Sequence, residues 1–317
     1  MERDSHTTVC DPPIKSTIRY SEKKEDTVSA GCSNGIDIGF ASLDYAQIAF
    51  LGVVQGITEL LPISSTAHMR IVPALLGWAD PGSAFSAIMQ LAALAAVLSY
   101  FAKDVRALLQ GTRQAIVRRD LQSPALRMSV AIVLATIPIG IAGLALSSLL
   151  NACNTPLRSL PVIAVSSIVM AALLALSELR CTHVRRVEDM RLRDALWVGL
   201  AQVGALIPGV SRSGSTLTAA LFLNFRRDDA AKFSFFLGLP AITLAGLKEL
   251  WVLTHAHLPV EAWLHLLVGL TVGSASAFVA IWGLMKFLER FSTWVFVGYR
   301  GAMGALLLIA VWAGWLA

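Results

Sequence analysis

Residues able to do chemistry are concentrated in two short stretches of this sequence. The first carries Gln55, Glu59, Ser64, Ser65, Thr66 and His68 around Pro62, and the second carries Ser211, Arg212, Ser213, Ser215 and Thr216 after Pro208 and Gly209. Each interrupts an apolar run. Between Tyr45 and Ala79 the only ionisable side chains besides that tyrosine are Glu59, His68 and Arg70, and between Ala195 and Phe225 the only charged one is Arg212. A charge set in that much hydrocarbon is costly and marks a protein-lined site. Carboxylate, hydroxyl, imidazole and guanidinium together are the parts of a centre that handles phosphoryl groups.

Glu59 reads in two ways: an electrostatic or metal-holding carboxylate that orients a nucleophile, or a hydrogen-bonded carboxyl that only holds its loop. Gln55, four residues earlier, shares its helical face and can present its amide to the same centre. The hydroxyls of Ser64, Ser65 and Thr66 can cap a half-helix. Beside His68 they also offer a nucleophile and a group to take its proton, because a serine attacks phosphorus only when oriented and deprotonated. Arg212 brings a planar fork that grips phosphoryl oxygens through paired donors, or else an ion pair with Glu59. Ser211, Ser213, Ser215 and Thr216 add donors, and half-helix amino termini favour an anion. These residues specify an anion-handling site without naming its substrate.

The elements that position them lie in a membrane. Of the 317 residues, 56% are hydrophobic and 15% charged, against about a quarter charged in a soluble domain. The net charge of +5 does not indicate a nucleic-acid binder, because the arginines gather in short connections between apolar runs, as on a cytoplasmic membrane face. Residues 1–40 read as a flexible polar extension, and 41–317 as a single membrane domain. Cys10, Cys32, Cys153 and Cys181 lack metal-ligand spacing, although Cys10 and Cys32 can bridge if the extension is extracytoplasmic.

Six spans are expected, at roughly Ala84 to Phe101, Met128 to Leu150, Leu160 to Leu179, Phe233 to Leu253, Ala262 to Met285 and Trp294 to Ala313. The stretches Lys103–Arg127 and Arg180–Arg193 are rich in arginine, whereas Asn151–Ser159 holds one and Thr254–Glu261 none. This alternation puts the first two connections in the cytoplasm and the other two outside. Each chemistry-bearing stretch has apolar chain on both sides of a proline, so each reads as two half-helices that enter and leave on one face. Gly52-x-x-Gln55 recurs as Gly199-x-x-Gln202, Pro62-x-Ser64 as Pro208-x-x-Ser211, and Phe85-Ser86 as Phe233-Ser234. The fold class expected is therefore an all-α polytopic membrane protein, with six transmembrane helices and two re-entrant helical hairpins in an inverted-topology repeat of halves 44–179 and 194–315. Such folds also build transporters, so movement of a lipid phosphate or small anion is the alternative function.

The strings LGVVQGITELLPISSTAH and ALIPGVSRSGST, followed by AAKFSFFLGLPA, resemble the two signatures of the bacterial undecaprenyl-diphosphate phosphatase family, the bacitracin-resistance phosphatases. The resemblance runs from about Asp44 to the carboxyl end. It maps the family's Glu/Gln-x-x-x-Glu element onto Gln55 and Glu59, its Pro-x-Ser-Ser-x-x-His element onto Pro62, Ser64, Ser65 and His68, and its arginine signature onto Pro208, Gly209, Ser211, Arg212, Ser213 and Thr216. Gln55 stands where many members have Glu, Ala67 where Gly is common, and Lys232 where relatives are often acidic. The resemblance implies hydrolysis of the C55 isoprenyl diphosphate to the monophosphate and inorganic phosphate, at an inner-membrane site open to the periplasm. It implies dependence on a divalent cation, Mg²⁺ or Ca²⁺, held with Glu59 and Gln55. Ser65 is the expected nucleophile with His68 as base, against direct attack by water, while Arg212 and the hydroxyls of Ser64, Thr66, Ser211, Ser213, Ser215 and Thr216 bind phosphate. Undecaprenyl diphosphate and membrane lipid are the expected partners, and monomer or homodimer stays open.

Overall fold

The structure, a computed structural model, describes residues 32–33, 36–150, 155–256 and 258–316. Most of the polar extension, Cys10 and Cys153 lie outside the described residues, so the Cys10–Cys32 bridge does too. After a small hairpin of β1 (Cys32–Ser33) and β2 (Ile36–Asp37), the described chain is helical. α1 (Tyr45–Leu60) opens on a capping box, in which Asp44 accepts from the Gln47 N–H and the Gln47 side chain accepts from that of Asp44. α2 (Ser65–Leu76) closes on Gly77 at φ 69°, a left-handed stop that suits glycine. Then come α3 (Gly82–Tyr100), α4 (Ala102–Arg118), α5 (Pro124–Ala145) and α6 (Leu160–Arg180). The second half runs α7 (Leu192–Val203), α8 (Arg212–Phe222), α9 (Arg227–Thr254), α10 (Val260–Leu288) and α11 (Trp294–Trp312).

Six of these, α3, α5, α6, α9, α10 and α11, are long and apolar enough to cross a membrane. The shortest have 19 residues, about 28 Å of helix at 1.5 Å per residue, close to the hydrocarbon thickness. They coincide with the six expected spans. α5 ends at Ala145, short of the expected Leu150, and Ser147–Leu150 forms a separate turn. The arginine-rich connection after α3 contains a helix that its charges concealed. α4 exposes Leu109, Ile116 and Val117 beside Arg113 and Arg118, with Ala115 its only buried residue, the pattern of a helix lying in a membrane interface.

The two short helix pairs are seated on spans of the opposite half: α1 packs on α10, and α7 on α5. The glycines of the sequence repeat explain how closely. A Cβ on Gly52 would lie 2.9 Å from the Gly269 carbonyl oxygen, and one on Gly199 would lie 2.2 Å from that of Ala135. Small residues let backbones meet where lipid gives no hydrophobic drive to associate. α3 also packs against α9, and α6 against α11.

Polar clamps hold the ends of both pairs. Phe40, fully buried, donates its N–H to the Pro81 carbonyl (2.9 Å), so the chain entering α1 lies against the chain leaving α2. Arg158, just before α6, pairs with Asp37 (2.8 Å) and Asp80 (3.3 Å), and Arg70 also reaches Asp80 (2.8 Å). Asp37 and Phe40, within the stretch 1–40, thus take part in the contacts at the first pair. Past the other end of α6, Arg185 pairs with Asp194 at the start of α7 (2.6 Å) and donates to the Leu223 carbonyl after α8 (3.0 Å). Glu178, on the last turn of α6, accepts from Arg227 (2.5 Å) and from the N–H and hydroxyl of Thr293 (2.9 and 2.7 Å).

Candidate active site

The turns between the paired helices are built alike. Ser64 and Ser211 both cap the following helix at positive φ, 73° and 71°, a backbone region uncommon for residues other than glycine. Their hydroxyls accept from the Ala67 N–H (3.4 Å) and the Gly214 N–H (3.1 Å), satisfying one orphan donor of each helix. The repeat matched in sequence is thus a repeat of local geometry. It sets Ser65 and Arg212 at the first position of α2 and α8, so both side chains sit at helix amino termini.

Around Glu59, only 5% exposed, the two turns meet. Ser65 Oγ donates to Glu59 Oε2 (2.5 Å), Gln55 Nε2 donates to the same oxygen (3.1 Å), and Arg212 Nη2 donates to Oε1 (3.3 Å). Gln55 and Glu59 do share a helical face, as their spacing of four requires. Ser213 Oγ ties the turns together by donating to the carbonyls of Glu59 (3.2 Å) and Leu61 (3.1 Å). Among the described residues Arg212 uses one nitrogen only; its Nε and Nη1 are buried without a partner there. Unspent donors on a buried guanidinium beside a hydroxyl leave hydrogen-bonding capacity for an acceptor that carries negative charge.

The other expected residues are spent differently. His68 does not meet Ser65: Nδ1 faces the Ser64 carbonyl (2.7 Å) and Nε2 the Tyr299 hydroxyl (2.6 Å), with the two rings stacked 5.7 Å apart. The group on the Ser65 hydroxyl is Glu59. Thr66 pairs with Ser64 Oγ (3.2 Å), Ser215 donates to the Arg212 carbonyl (3.0 Å), and Thr216 donates to that carbonyl (2.8 Å) and bonds Ser234. These hydroxyls brace the helix starts.

Three residues of the site lie outside the two stretches. Arg300, 1% exposed on α11, donates to Pro62 O in one turn (2.9 Å) and to Gly209 O and Val210 O in the other (2.6 and 3.0 Å). One planar fork thereby spans both turns, which a lysine ammonium cannot do. No carboxylate pairs with it among the described residues, so its positive charge is added to the two turns without a carboxylate partner, whereas that of Arg212 meets Glu59. Tyr299 holds His68. Gly238 on α9 makes room for Arg212: a Cβ there would lie 2.0 Å from Nη1. A lone charge in the apolar run after Trp294 is the same signal that exposes Glu59 and Arg212, and it marks Arg300 as well. Nothing in the sequence marks Gly238.

For a divalent cation the donors are few. Among the described residues no group of three or more His, Cys, Asp or Glu side chains is gathered. Both Glu59 oxygens already accept hydrogen bonds, while Gln55 Oε1 is buried without a partner among the described residues. One carboxylate and one amide oxygen fit the edge of a hard cation that also takes phosphate and water oxygens, and are too few for a cage of protein ligands.

A family model described as bacitracin resistance protein BacA matches residues 48–306. Undecaprenyl-diphosphatase 2 of Mesorhizobium japonicum is 67% identical over 264 residues, which is 83% of this chain and all of that relative. An undecaprenyl-diphosphatase of Gloeobacter violaceus is 55% identical over 84% of this chain and 91% of its own length, and one of Synechococcus elongatus 48% over 86% and 96%.

Proposed function

The chain belongs to the bacitracin resistance protein BacA family, and we propose from that membership how its site works. The protein is an undecaprenyl-diphosphatase: it hydrolyses the isoprenyl diphosphate to the monophosphate and inorganic phosphate within the membrane. The observation that carries the mechanism is the Ser65–Glu59–Arg212 contact, which joins a nucleophile, a base and an oxyanion donor from two turns far apart in the chain.

The paired helices are two re-entrant hairpins of an inverted repeat, entering from opposite faces. Support comes from the clamps. Arg158 ties the first pair's open end to the start of α6, and Arg185 ties the second pair's open end to the chain just past its other end. The exchange of partners, α1 on α10 and α7 on α5, is what a two-fold relation between the halves produces. With the arginine-rich connections in the cytoplasm, the first hairpin and the site open to the periplasm.

The diphosphate lies between the helix amino termini, and its lipid tail stays among apolar helix faces. Arg212 turns its unpartnered Nε and Nη1 to the terminal phosphoryl oxygens. Ser65 Oγ attacks the terminal phosphorus and passes its proton to Glu59 Oε2 as the bond to the bridging oxygen breaks; undecaprenyl phosphate leaves with the electron pair. Glu59 then gives that proton up to solvent; water attacks the phosphoserine and passes a proton to the freed carboxylate, and as the Oγ–phosphorus bond breaks Glu59 returns this proton to Ser65 and inorganic phosphate leaves. His68, oriented by the Ser64 carbonyl and Tyr299, moves a proton between the site and its surroundings. A Mg²⁺ or Ca²⁺ ion shared by Glu59, Gln55 and the substrate would offset the charge of the phosphates.

Phosphate release from isoprenyl diphosphate by the purified protein, run with and without chelator, tests the activity. Ser65→Ala should abolish turnover, and acid quench of the wild type should trap phosphate on Ser65. Near-normal turnover by Ser65→Ala would sink the covalent route, and lipid binding without any hydrolysis would sink the enzyme.

A further inference from the structure

The two hairpin mouths differ in how their arginines are used. At the first, both Arg70 and Arg158 are neutralised by Asp37 and Asp80. At the second, Arg185 is occupied by Asp194, yet Arg191 and Arg193 are exposed and make no ion pair among the described residues. Both line a cavity of ≈ 640 Å³, together with Arg185, Asp194, Trp197 and Leu223. Asp189 also borders it, and its carboxylate accepts from the Arg186 N–H (3.1 Å).

We propose that this cavity is a headgroup site for an anionic phospholipid in the leaflet on the arginine-rich face. A phosphodiester is the chemistry that two unpaired guanidinium groups take. The walls select a lipid over a free anion. Trp197 is 64% exposed, and Leu192, Leu196 and Leu200 continue an exposed apolar strip from the cavity along α7. Arg191 and Arg193 at the helix start, then Leu196 and Trp197, then Leu200 follow the order of a bilayer interface from headgroup to acyl chain. The cavity lies on the chain that enters α7, the helix leading to the Arg212 turn, and is separate from the residues that meet Glu59.

The test is native mass spectrometry of the full-length protein in detergent, titrated with dioctanoyl phosphatidylglycerol, dioctanoyl phosphatidylcholine or inorganic phosphate. The wild type should retain phosphatidylglycerol over phosphatidylcholine. Arg191→Gln/Arg193→Gln should bind it roughly 10- to 30-fold more weakly, from the worth of two basic residues at a membrane surface, with unchanged phosphatase turnover and melting temperature. A matched variant on another exposed cytoplasmic helix, Arg106→Gln/Arg113→Gln, should bind like the wild type. Equal retention of the two lipids, an unaffected cavity variant, or the same loss in the matched variant would each overturn the proposal. Full displacement of phosphatidylglycerol by millimolar phosphate would also overturn it, leaving an anion site without lipid selectivity.

Discussion

Replacing Arg300 tests whether the two turns form one site because a single side chain holds them together. Its guanidinium makes three hydrogen bonds to backbone carbonyls, one in the first turn and two in the second. Charge-assisted bonds of this kind are worth about 1.5–3 kcal/mol each, and burying the cation costs several kcal/mol. The net loss in Arg300→Met is therefore on the order of 2–4 kcal/mol, expressed mainly as freedom of the turns relative to each other. Of that, about 3 kcal/mol appearing in the barrier is roughly a hundredfold in kcat. Arg300→Lys separates bridging from charge. An ammonium keeps the positive field but reaches the carbonyls of one turn only, so it should remain at least about tenfold slow. The assay is phosphate release in micelles under saturating substrate, with thermal unfolding measured in parallel. Turnover by Arg300→Met within threefold of wild type would refute the clamp, and full activity in Arg300→Lys would show that charge alone matters.

Gly238→Ala should cut kcat by roughly a hundredfold without unfolding the protein, because its methyl would displace the Arg212 guanidinium by about 1 Å; turnover and melting temperature, measured together, check it. Tyr299→Phe strips the hydroxyl partner from His68 Nε2 and should lower kcat about three- to tenfold with KM little changed, as read from initial rates. Gly56→Ala places a methyl 2.3 Å from the Gly273 carbonyl oxygen and should destabilise by about 1–3 kcal/mol, seen as a lower melting temperature, whereas Gly140→Ala, with nothing within 4 Å, should be silent.

Much of this architecture is legible in the sequence because lipid enforces simple rules. A run of about 20 apolar residues crosses the bilayer, which is why all six spans are found from composition. A charge inside such a run needs a reason, which is why Glu59 and Arg212 stand out. Arg300 obeys the same rule, but it sits within a run whose overall hydropathy reads as an uninterrupted span. α4 is concealed for the opposite reason, since its arginines read as a connection while its apolar face is only interfacial. The pairing of Glu59 with Ser65 could not be read from spacing. Helical periodicity sets Ser65 and His68 on one face, yet the ring turns back to the carbonyl four residues earlier and the carboxylate arrives from the preceding helix. Gly238 matters only through a neighbour distant in sequence, and periodicity carries no trace of it.

α6 is pinned at both ends, by Arg158 before its first turn and by the Glu178 cluster on its last. Its 21 residues amount to about 31 Å, the hydrocarbon thickness of an ordinary bilayer. The helix thus behaves as a strut with a polar stop at each end, and α8, which packs against it, is held at a fixed distance from those stops. A bilayer several ångströms thicker or thinner cannot be met by sliding this helix; it has to be met by tilt or by deformation of the surrounding lipid. Membrane thickness is in this way mechanically linked to the tilt of α6 and of the helices α8 and α11 that pack against it.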